Sequence, residues 1–500
     1  MNLAHLIDDH DAASIALFSR GRPVTYGELR DKVAAMRGGL GGLGVAEGAR
    51  VAILCGNSSE FVVAYLATLG IGAVAVPLNP TSPPPELARE IAAVGAVAAV
   101  VDSVAGASWG VVAQACPSVE HVIAIDQSVV DGAIALDDVL AHTPAPIVEV
   151  DPSSVAVLIF TSGTAGAPRA AMLTHGNLRA NIDQSQTDAE GLRVGDVVYG
   201  VLPLNHIYGL NVVLGLSLAR GATVVLVNRF DPATALDTIR ERKVTVVPGA
   251  PPMWVAFSQF ESAPADAFAG VRLALTGASK MPEDAIHRLH GRFGVALREG
   301  YGLTEASPTV TSSAGFAVRP GSIGKVLGGI DVRLVDESGD DVVAGDPGEI
   351  WVKGANVFVG YLDDPEATDR ALDEDGWLHT GDIAVTDDDG YLYLVDRAKD
   401  LVIVSGFNVY PAEVEEVLAD HPGVAEVAVV GVPHPHTGEA VKAYVVRTDG
   451  ADIDEDALIE HCAAFLARYK CPTKVIFVEE LPRNAAGKLI RRELEGTVLA

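Results

Sequence analysis

The sequence predicts an α/β protein: a large N-terminal region of mixed α/β sub-domains followed by a small α+β C-terminal domain. Helical segments such as TYGELRDKVAAMRGGL alternate with apolar strands such as RVAILC, AVAAVVD and TVVLVN up to about Asp396. Such alternation predicts mainly parallel sheets covered by helices. From Gly348 the texture changes to short strands separated by turn residues: GEIWVKG, GWLHTGD and DDDGYLYLVDR. A compact stretch follows, with PAEVEEVLADH and DEDALIEHCAAFLARY read as helices and VAEVAVVGV and KAYVVR as strands. The boundary is expected at the acidic and basic cluster 397–400, which separates a region 1–396 from a domain 397–500.

Length and charge narrow the function classes. Five hundred residues, 49% of them hydrophobic, suffice for two to four packed units. The chain has 36 basic and 66 acidic side chains, a net charge of −30. So negative a surface repels phosphate backbones, and Arg491-Arg492 is the only basic cluster that stands out, so nucleic acid is not an expected partner. Cys55, Cys116, Cys462 and Cys471 form no C-x-x-C pair, which fits a reducing cytoplasm better than a disulfide framework. The N-terminus MNLAHLIDDHD lacks the basic start of a secretion signal, and the final VLA is not a peroxisomal address. The uncharged run 61–78 has the length of a membrane span, yet Gly70, Gly72 and the terminating proline read as a buried helix turning into a buried strand. Pro83-Pro84-Pro85 is expected to be a stiff surface connection.

Two motifs mislead. Gly39, Gly41 and Gly44 match G-x-G-x-x-G, but here the pattern follows a helix and precedes a strand, the reverse of a dinucleotide site; helix termination is the expected role. Ser162 and His175 could suggest acyl transfer, but Ser162 lacks the G-x-S-x-G elbow.

The residues that carry chemistry lie elsewhere. The buried strand VAVLIF runs into TSGTAGAPR, residues 161–169, where small hydroxyl and glycine residues let backbone N–H groups close around an anion and Arg169 adds positive charge. Read alone, this stretch is better explained as a polar surface turn. It is joined by YGLTE at 301–305, by GWLHTGD ending at Asp382, and by DRAKD at 396–400. Together they offer an aromatic to stack a purine, a hydroxyl for a phosphoryl oxygen, carboxylates for Mg²⁺ and a ribose diol, and a basic group, which are the needs of bound ATP. LPRNAAGK places Lys488 in a loop near the C-terminus, where it can reach a charge that develops during reaction.

These motifs, in this order from TYGEL to GKLIRREL, resemble the adenylate-forming superfamily of acyl-CoA synthetases, adenylation domains and luciferases, and among these a fatty-acid–CoA ligase most. The resemblance implies a large N-terminal AMP-binding domain and a mobile C-terminal lid hinged at 397–400. It implies that Thr161, Ser162, Gly163, Thr164, Gly166 and Arg169 hold the β- and γ-phosphates, with Thr161 and Glu305 at Mg²⁺. Tyr301 with Gly302 would lie against adenine, Thr304 would touch the α-phosphate, and Asp382 and Arg397 would bind the ribose. By the same resemblance Lys399 would stand at the hinge position, and Lys488 would bridge the substrate carboxylate and the α-phosphate. Gly277, Ala278 and Ser279, with Glu299 and Gly300, are expected as walls shared by adenine and the acyl group, while Ser405-Gly406-Phe407 would border the pantetheine tunnel. His206, Tyr208, Trp254 and Phe257 are expected as apolar wall for the acid, with Trp254 and Phe257 equally explained by core packing.

Two departures from the family pattern stand out. The phosphate loop ends Pro168-Arg169-Ala170 in place of Pro-Lys-Gly, and Pro203-Leu204-Asn205-His206 replaces an aromatic beside the acid pocket. The expected reaction is ATP-dependent conversion of a carboxylic acid, a medium- or long-chain fatty acid first, to acyl-AMP and then to its coenzyme A thioester. An aryl-acid–CoA ligase, an acyl-AMP ligase loading a free carrier protein, and a nucleotide-binding protein without catalysis are the alternatives. A homodimer is left open, and no integral membrane segment is expected.

Overall fold

Short β-branched runs punctuated by glycine and proline become the strands, and the alternating segments become the helices that cover them. The computed structural model describes all residues except 163–167, 187–189, 279–280, 337, 398–401, 410, 449, 483–493 and 495–500. Among the described residues, the strands fall into four sheets.

One seven-stranded sheet runs in the order Ile134–Ala135, His121–Ala124, Ala98–Val101, Arg50–Leu54, Val74–Pro77, Val155–Ser162 and Pro168–Thr174. Its members are parallel until the last two, which form an antiparallel hairpin. A nine-stranded sheet has a parallel run, Ile15–Ser19, Thr223–Leu226, Val197–Gly200, Val246–Gly249, Leu273–Thr276 and Leu297–Gly302, with Arg22–Thr25 antiparallel at one edge and Thr309–Ser312 and Lys325–Val326 antiparallel at the other. The four strands Ile330–Val335, Gly348–Gly354, Leu378–Thr386 and Leu392–Arg397 form an antiparallel sheet. The C-terminal sheet is built on the long pair Val424–His434 and Gly438–Arg447 and carries its own apolar core, including Val402, Val414, Val441 and Leu458. A single hydrophobic core joins the other three sheets, from Leu17 and Val224 through Val51 and Phe61 to Ile350 and Val352. Burial of this continuity is the main stabilising contribution.

The run 61–78 resolves as expected into the buried helix Ser59–Gly70 and the strand Val74–Pro77. No described helix is long and apolar enough to cross a membrane. All four cysteines are free and buried. Thr25 and Glu28 close a capping box at the start of helix Tyr26–Gly42. Gly39 lies inside that helix and does not end it: a Cβ there would stand 2.3 Å from Val139 Cγ1, so the glycine admits a neighbouring helix. Gly44, at φ +81, belongs to the termination proper. The proline triplet is no surface connection either, because Pro84 opens helix Pro84–Val94, where its missing N–H costs nothing.

Trp254 and Phe257 are wholly buried and pack with Phe268, and the Trp254 indole N–H donates to the Leu275 carbonyl at 2.9 Å. They are core residues, not wall of an acid pocket. Trp254→Phe should therefore lower unfolding free energy by on the order of 2 kcal/mol in urea melts while leaving the order in which acids are accepted unchanged. A changed order would return Trp254 to the pocket.

Candidate functional site

The antiparallel hairpin sets Thr161 opposite Arg169 and Ser162 opposite Pro168, with the Thr161 hydroxyl donating to the Arg169 carbonyl at 3.5 Å. Gly163, Thr164 and Gly166 lie outside the described residues, and Ser162 is described by its backbone alone. The Arg169 Nε donates to Asp364 Oδ2 at 2.6 Å, and the guanidinium lies 5.9 Å from the centre of the Tyr361 ring. Asp364 Oδ1 also accepts from the Ala367 N–H, capping helix Pro365–Ala371. That N–H and the Arg169 charge together outweigh desolvation and hold Asp364 below the usual carboxylate range.

Strand Leu297–Gly302 delivers Tyr301, whose hydroxyl donates to Asp382 Oδ2 at 2.8 Å and thereby ties the nine-stranded sheet to the four-stranded one. At Gly302 a Cβ would lie 2.1 Å from the Pro308 carbonyl oxygen, so only glycine permits the close return of the chain that follows. The next residues form the 3₁₀ turn Thr304–Ala306, in which Glu305 Oε1 accepts from the Tyr361 hydroxyl at 2.6 Å.

His206 and the π-helical segment Tyr208–Gly215 form another wall. His206 Nδ1 accepts the Tyr208 N–H at 3.2 Å, which leaves the proton of the neutral ring on Nε2. Burial pushes its pKa down to about 4. A Cβ on Gly277 would come 3.4 Å from Tyr208 Cε1, so the glycine backbone lies close beside the ring, and Ala278 turns at φ +73. From the C-terminal domain, Gly406 at φ +84 approaches Ala278 and Ala250, and Phe407 meets the His206 ring edge-on at 5.9 Å.

Thr161, Arg169, His206, Gly277, Ala278, Gly300, Tyr301, Gly302, Thr304, Glu305, Asp382 and Gly406 all line one cavity of about 450 Å³. Ser405 instead lines a second, of about 370 Å³, together with Ala250, Met253 and His436. Glu299 is a correction: its side chain is buried but is not part of the cavity wall, which takes Gly300 and Tyr301 instead. Asn205 is likewise absent from the wall among the described residues. Arg397 pairs with Asp382 across the backbone ladder, and nothing further is described of its side chain. Ser279, Lys399 and Lys488 lie outside the described residues, as does most of the expected hinge 397–400.

Sequence reasoning missed Tyr361, Arg370 and His379, which line the cavity, and Asp364 behind Arg169. Asp364-Pro365 is a legible helix start. Nothing local marked Tyr361, whose importance comes from a partner 56 residues away.

The family profile described as AMP-binding enzyme matches residues 8–362, and that of the AMP-binding enzyme C-terminal domain matches 413–488. The chain belongs to this family. It is 36% identical to 4-coumarate–CoA ligase 1 of Oryza sativa subsp. japonica, over 95% of this chain and 87% of that protein. It is 38% identical to feruloyl-CoA synthase of Amycolatopsis sp, over 95% and 94% of the two chains. The amide bond synthetase McbA from Marinactinospora thermotolerans superposes with a TM-score of 0.90 at 30% identity, covering 99% of both chains. The AMP-binding enzyme is thus a member of the adenylate-forming superfamily and, by class, an AMP-forming acid–thiol ligase. The expected preference for a fatty acid finds no support in these relatives, two of which are named for 4-coumarate and feruloyl groups.

A second buried histidine shares the electrostatics of His206. His175 accepts the Leu3 N–H at Nδ1, and burial pushes it down to about 4 as well. Both rings must be neutral in the fold, whereas in the unfolded chain they protonate near pH 6.5. Stability should therefore be full above pH 6.5 and fall as pH drops toward 4, by on the order of 3 kcal/mol per ring. Urea midpoints between pH 4.5 and 7.5 measure this, and His175→Gln should flatten the acid limb. A limb unchanged in that variant would refute the assignment.

Proposed function

We propose that this enzyme activates an aryl carboxylic acid with ATP and passes the acyl group to coenzyme A. The observation that carries this reading is that the Tyr301–Asp382 and Glu305–Tyr361 pairs share one cavity with Arg169, which Asp364 holds from behind, and with Gly406 of the C-terminal domain. Tyr301 and the Gly277–Ala278 backbone flank adenine, Asp382 and Arg397 take the ribose hydroxyls, and Thr304 meets the α-phosphate. The 161–169 hairpin, with Arg169, receives the β- and γ-phosphates. No three carboxylate, histidine or cysteine side chains gather as a metal site among the described residues. One carboxylate, Glu305, and one hydroxyl, Thr161, beside a triphosphate suit Mg²⁺, which keeps phosphate and water ligands. When bound, the ion neutralises charge on the departing pyrophosphate.

The acid oxygen attacks the α-phosphorus and pyrophosphate leaves. Arg169 offsets its charge, and Lys488 bridges the acid carboxylate and the α-phosphate. The thiol of coenzyme A then adds to the acyl carbonyl and AMP departs. Rotation about 397–400 exchanges Lys488 for the 405–407 turn between the two steps, and the position of Gly406 in the cavity suits the second.

The shape of the acid site favours an aryl group. Tyr208, Val212, Leu216, Leu273 and Leu275 give it apolar faces, one of them an aromatic ring on which a flat ring can stack. Ser185 Oγ and Thr276 Oγ1 line the same cavity as buried groups with no hydrogen-bond partner among the described residues. A polar ring substituent satisfies such groups, whereas an alkyl chain leaves them unpaired. ATP–pyrophosphate exchange and thioester formation across acetate, octanoate, palmitate, benzoate, 4-hydroxycinnamate and ferulate test the assignment. Aryl acids should show the highest kcat/KM, and a preference for palmitate would overturn it.

A second reading rests on the likeness to the amide bond synthetase: an amine in place of the thiol. Adding an amine in place of coenzyme A separates the two. Tyr361→Phe should raise the Mg²⁺ concentration for half-maximal rate about tenfold, because the hydroxyl orients Glu305. An unchanged requirement would detach Tyr361 from the metal.

A further inference from the structure

Away from the cavity, the C-terminal domain meets the N-terminal region through a buried charge cluster that the reaction does not use. Lys470 closes the turn Arg468–Lys470, and its side chain is 6% exposed. Its ammonium donates to Glu86 Oε1 at 3.0 Å and to Glu413 Oε1 at 2.9 Å. Glu86 lies on helix Pro84–Val94 of the N-terminal region, and Glu413 in the first turn of helix Pro411–Ala419 of the C-terminal domain. Both carboxylates are about as buried as the lysine, and the second oxygen of each, Oε2, has no hydrogen-bond partner among the described residues. Glu90, one turn beyond Glu86, is buried too; desolvation and the Glu86 charge push it up to about 8, so it keeps its proton at neutral pH. Burial alone would lower Lys470, but the Glu413 and Glu86 carboxylates outweigh it and hold the ammonium charged.

The cluster is joined to the reaction site by a short chain of rings. Tyr469, next to Lys470, stacks on Phe407 with centroids 4.4 Å apart and planes at 25°. Phe407 in turn meets His206 in the wall of the cavity, beside Gly406. The lysine and Glu413 belong to one domain and travel together, whereas Glu86 belongs to the other. Rotation of the domain breaks the contact with Glu86 alone and returns the separated groups to water.

We propose that Lys470 and Glu86 form an interdomain latch that holds the C-terminal domain in the thiol-accepting position, with Lys470 a positioning residue acting through Tyr469 and Phe407 on the 405–407 turn. The proposal rests on the two-step reading above and assigns the group that selects between its two domain positions. A buried ion pair is weak evidence for overall stability, but removing one partner leaves an uncompensated buried charge. The penalty falls only on the docked arrangement, since the undocked groups are solvated. Loss of the latch therefore withdraws the docked state without touching the adenylating one.

The test uses Lys470→Met, Glu86→Lys and the exchange E86K/K470E, which restores the same set of charges across the interface. In each, ATP–pyrophosphate exchange is compared with thioester formation from preformed acyl-AMP and coenzyme A, with thermal melts to establish folding. Each single variant should keep pyrophosphate exchange within about twofold and lose tenfold or more in kcat/KM for coenzyme A, and the exchange should recover much of that loss. Hydrogen exchange supplies a readout independent of activity: amides of helix Pro84–Val94 should lose protection in the single variants and regain it in E86K/K470E. Parallel loss of both half-reactions, no loss in either, or single variants with unaltered protection of that helix would each overturn the latch. Wild-type protein that forms no thioester with any acid would refute the proposed function instead, leaving the exchange measurement to decide the latch.

Discussion

A main-chain stitch at residues 358–362 is the constraint on which the site depends. The Phe358 N–H donates to the Glu305 carbonyl at 2.8 Å; the Val359 N–H donates to the Met172 carbonyl, and the Met172 N–H to the Gly360 carbonyl at 2.9 Å; the Leu362 N–H reaches the Ala170 carbonyl at 2.9 Å. One extended segment is thereby bound both to the hairpin that carries Thr161 and Arg169 and to the turn that carries Glu305. The same segment presents Tyr361 to Glu305 and, two residues beyond its end, Asp364 to Arg169. Backbone bonds between distant parts of the chain set these side chains at fixed separations, which is what electrostatic preorganisation requires.

Placement of the 405–407 turn gives the cavity contributions from both domains. Gly406 lines the first cavity, and Ser405 and His436 line the second. A water-filled cleft would weaken the interaction between Arg169 and an incoming phosphate, so closure by the second domain strengthens the charges already fixed by the first. The neutral state of His206 fits this setting, because a charged ring buried against Phe407 would carry a desolvation cost that no carboxylate among the described residues offsets.

The alternating texture of the sequence made the sheets and helices legible, and the change at Gly348 marked the antiparallel sheet. Motifs that are contiguous in the chain were legible too: Tyr301, Glu305, Asp382 and Arg169 are brought together by the fold. Less could be read where function depends on pairing across space. Tyr361 and Asp364 gain their meaning only from Glu305 and Arg169, and Glu86 only from Lys470. The resemblance misled at Glu299, whose neighbours Gly300 and Tyr301 line the cavity while its own side chain is buried away from the wall. Trp254 and Phe257 were ambiguous because large aromatics serve cores and pockets alike, and their complete burial against Phe268, with the indole bond to Leu275, is a property of the fold.

The wide winding of Tyr208–Gly215 has an evolutionary corollary. Such a segment carries surplus length relative to an ordinary α-helix, and excision of a single residue could tighten it without severing the chain on either side. The tightened helix would swing the side chains beyond Gly209 by roughly 100° about the axis, re-aiming the wall at Val212 in one genetic event. Divergence of ligand choice on this scaffold is thus open to indels as well as to point substitutions, with Gly209, pressed against the Pro203 carbonyl, as the anchor about which the turn would rewind.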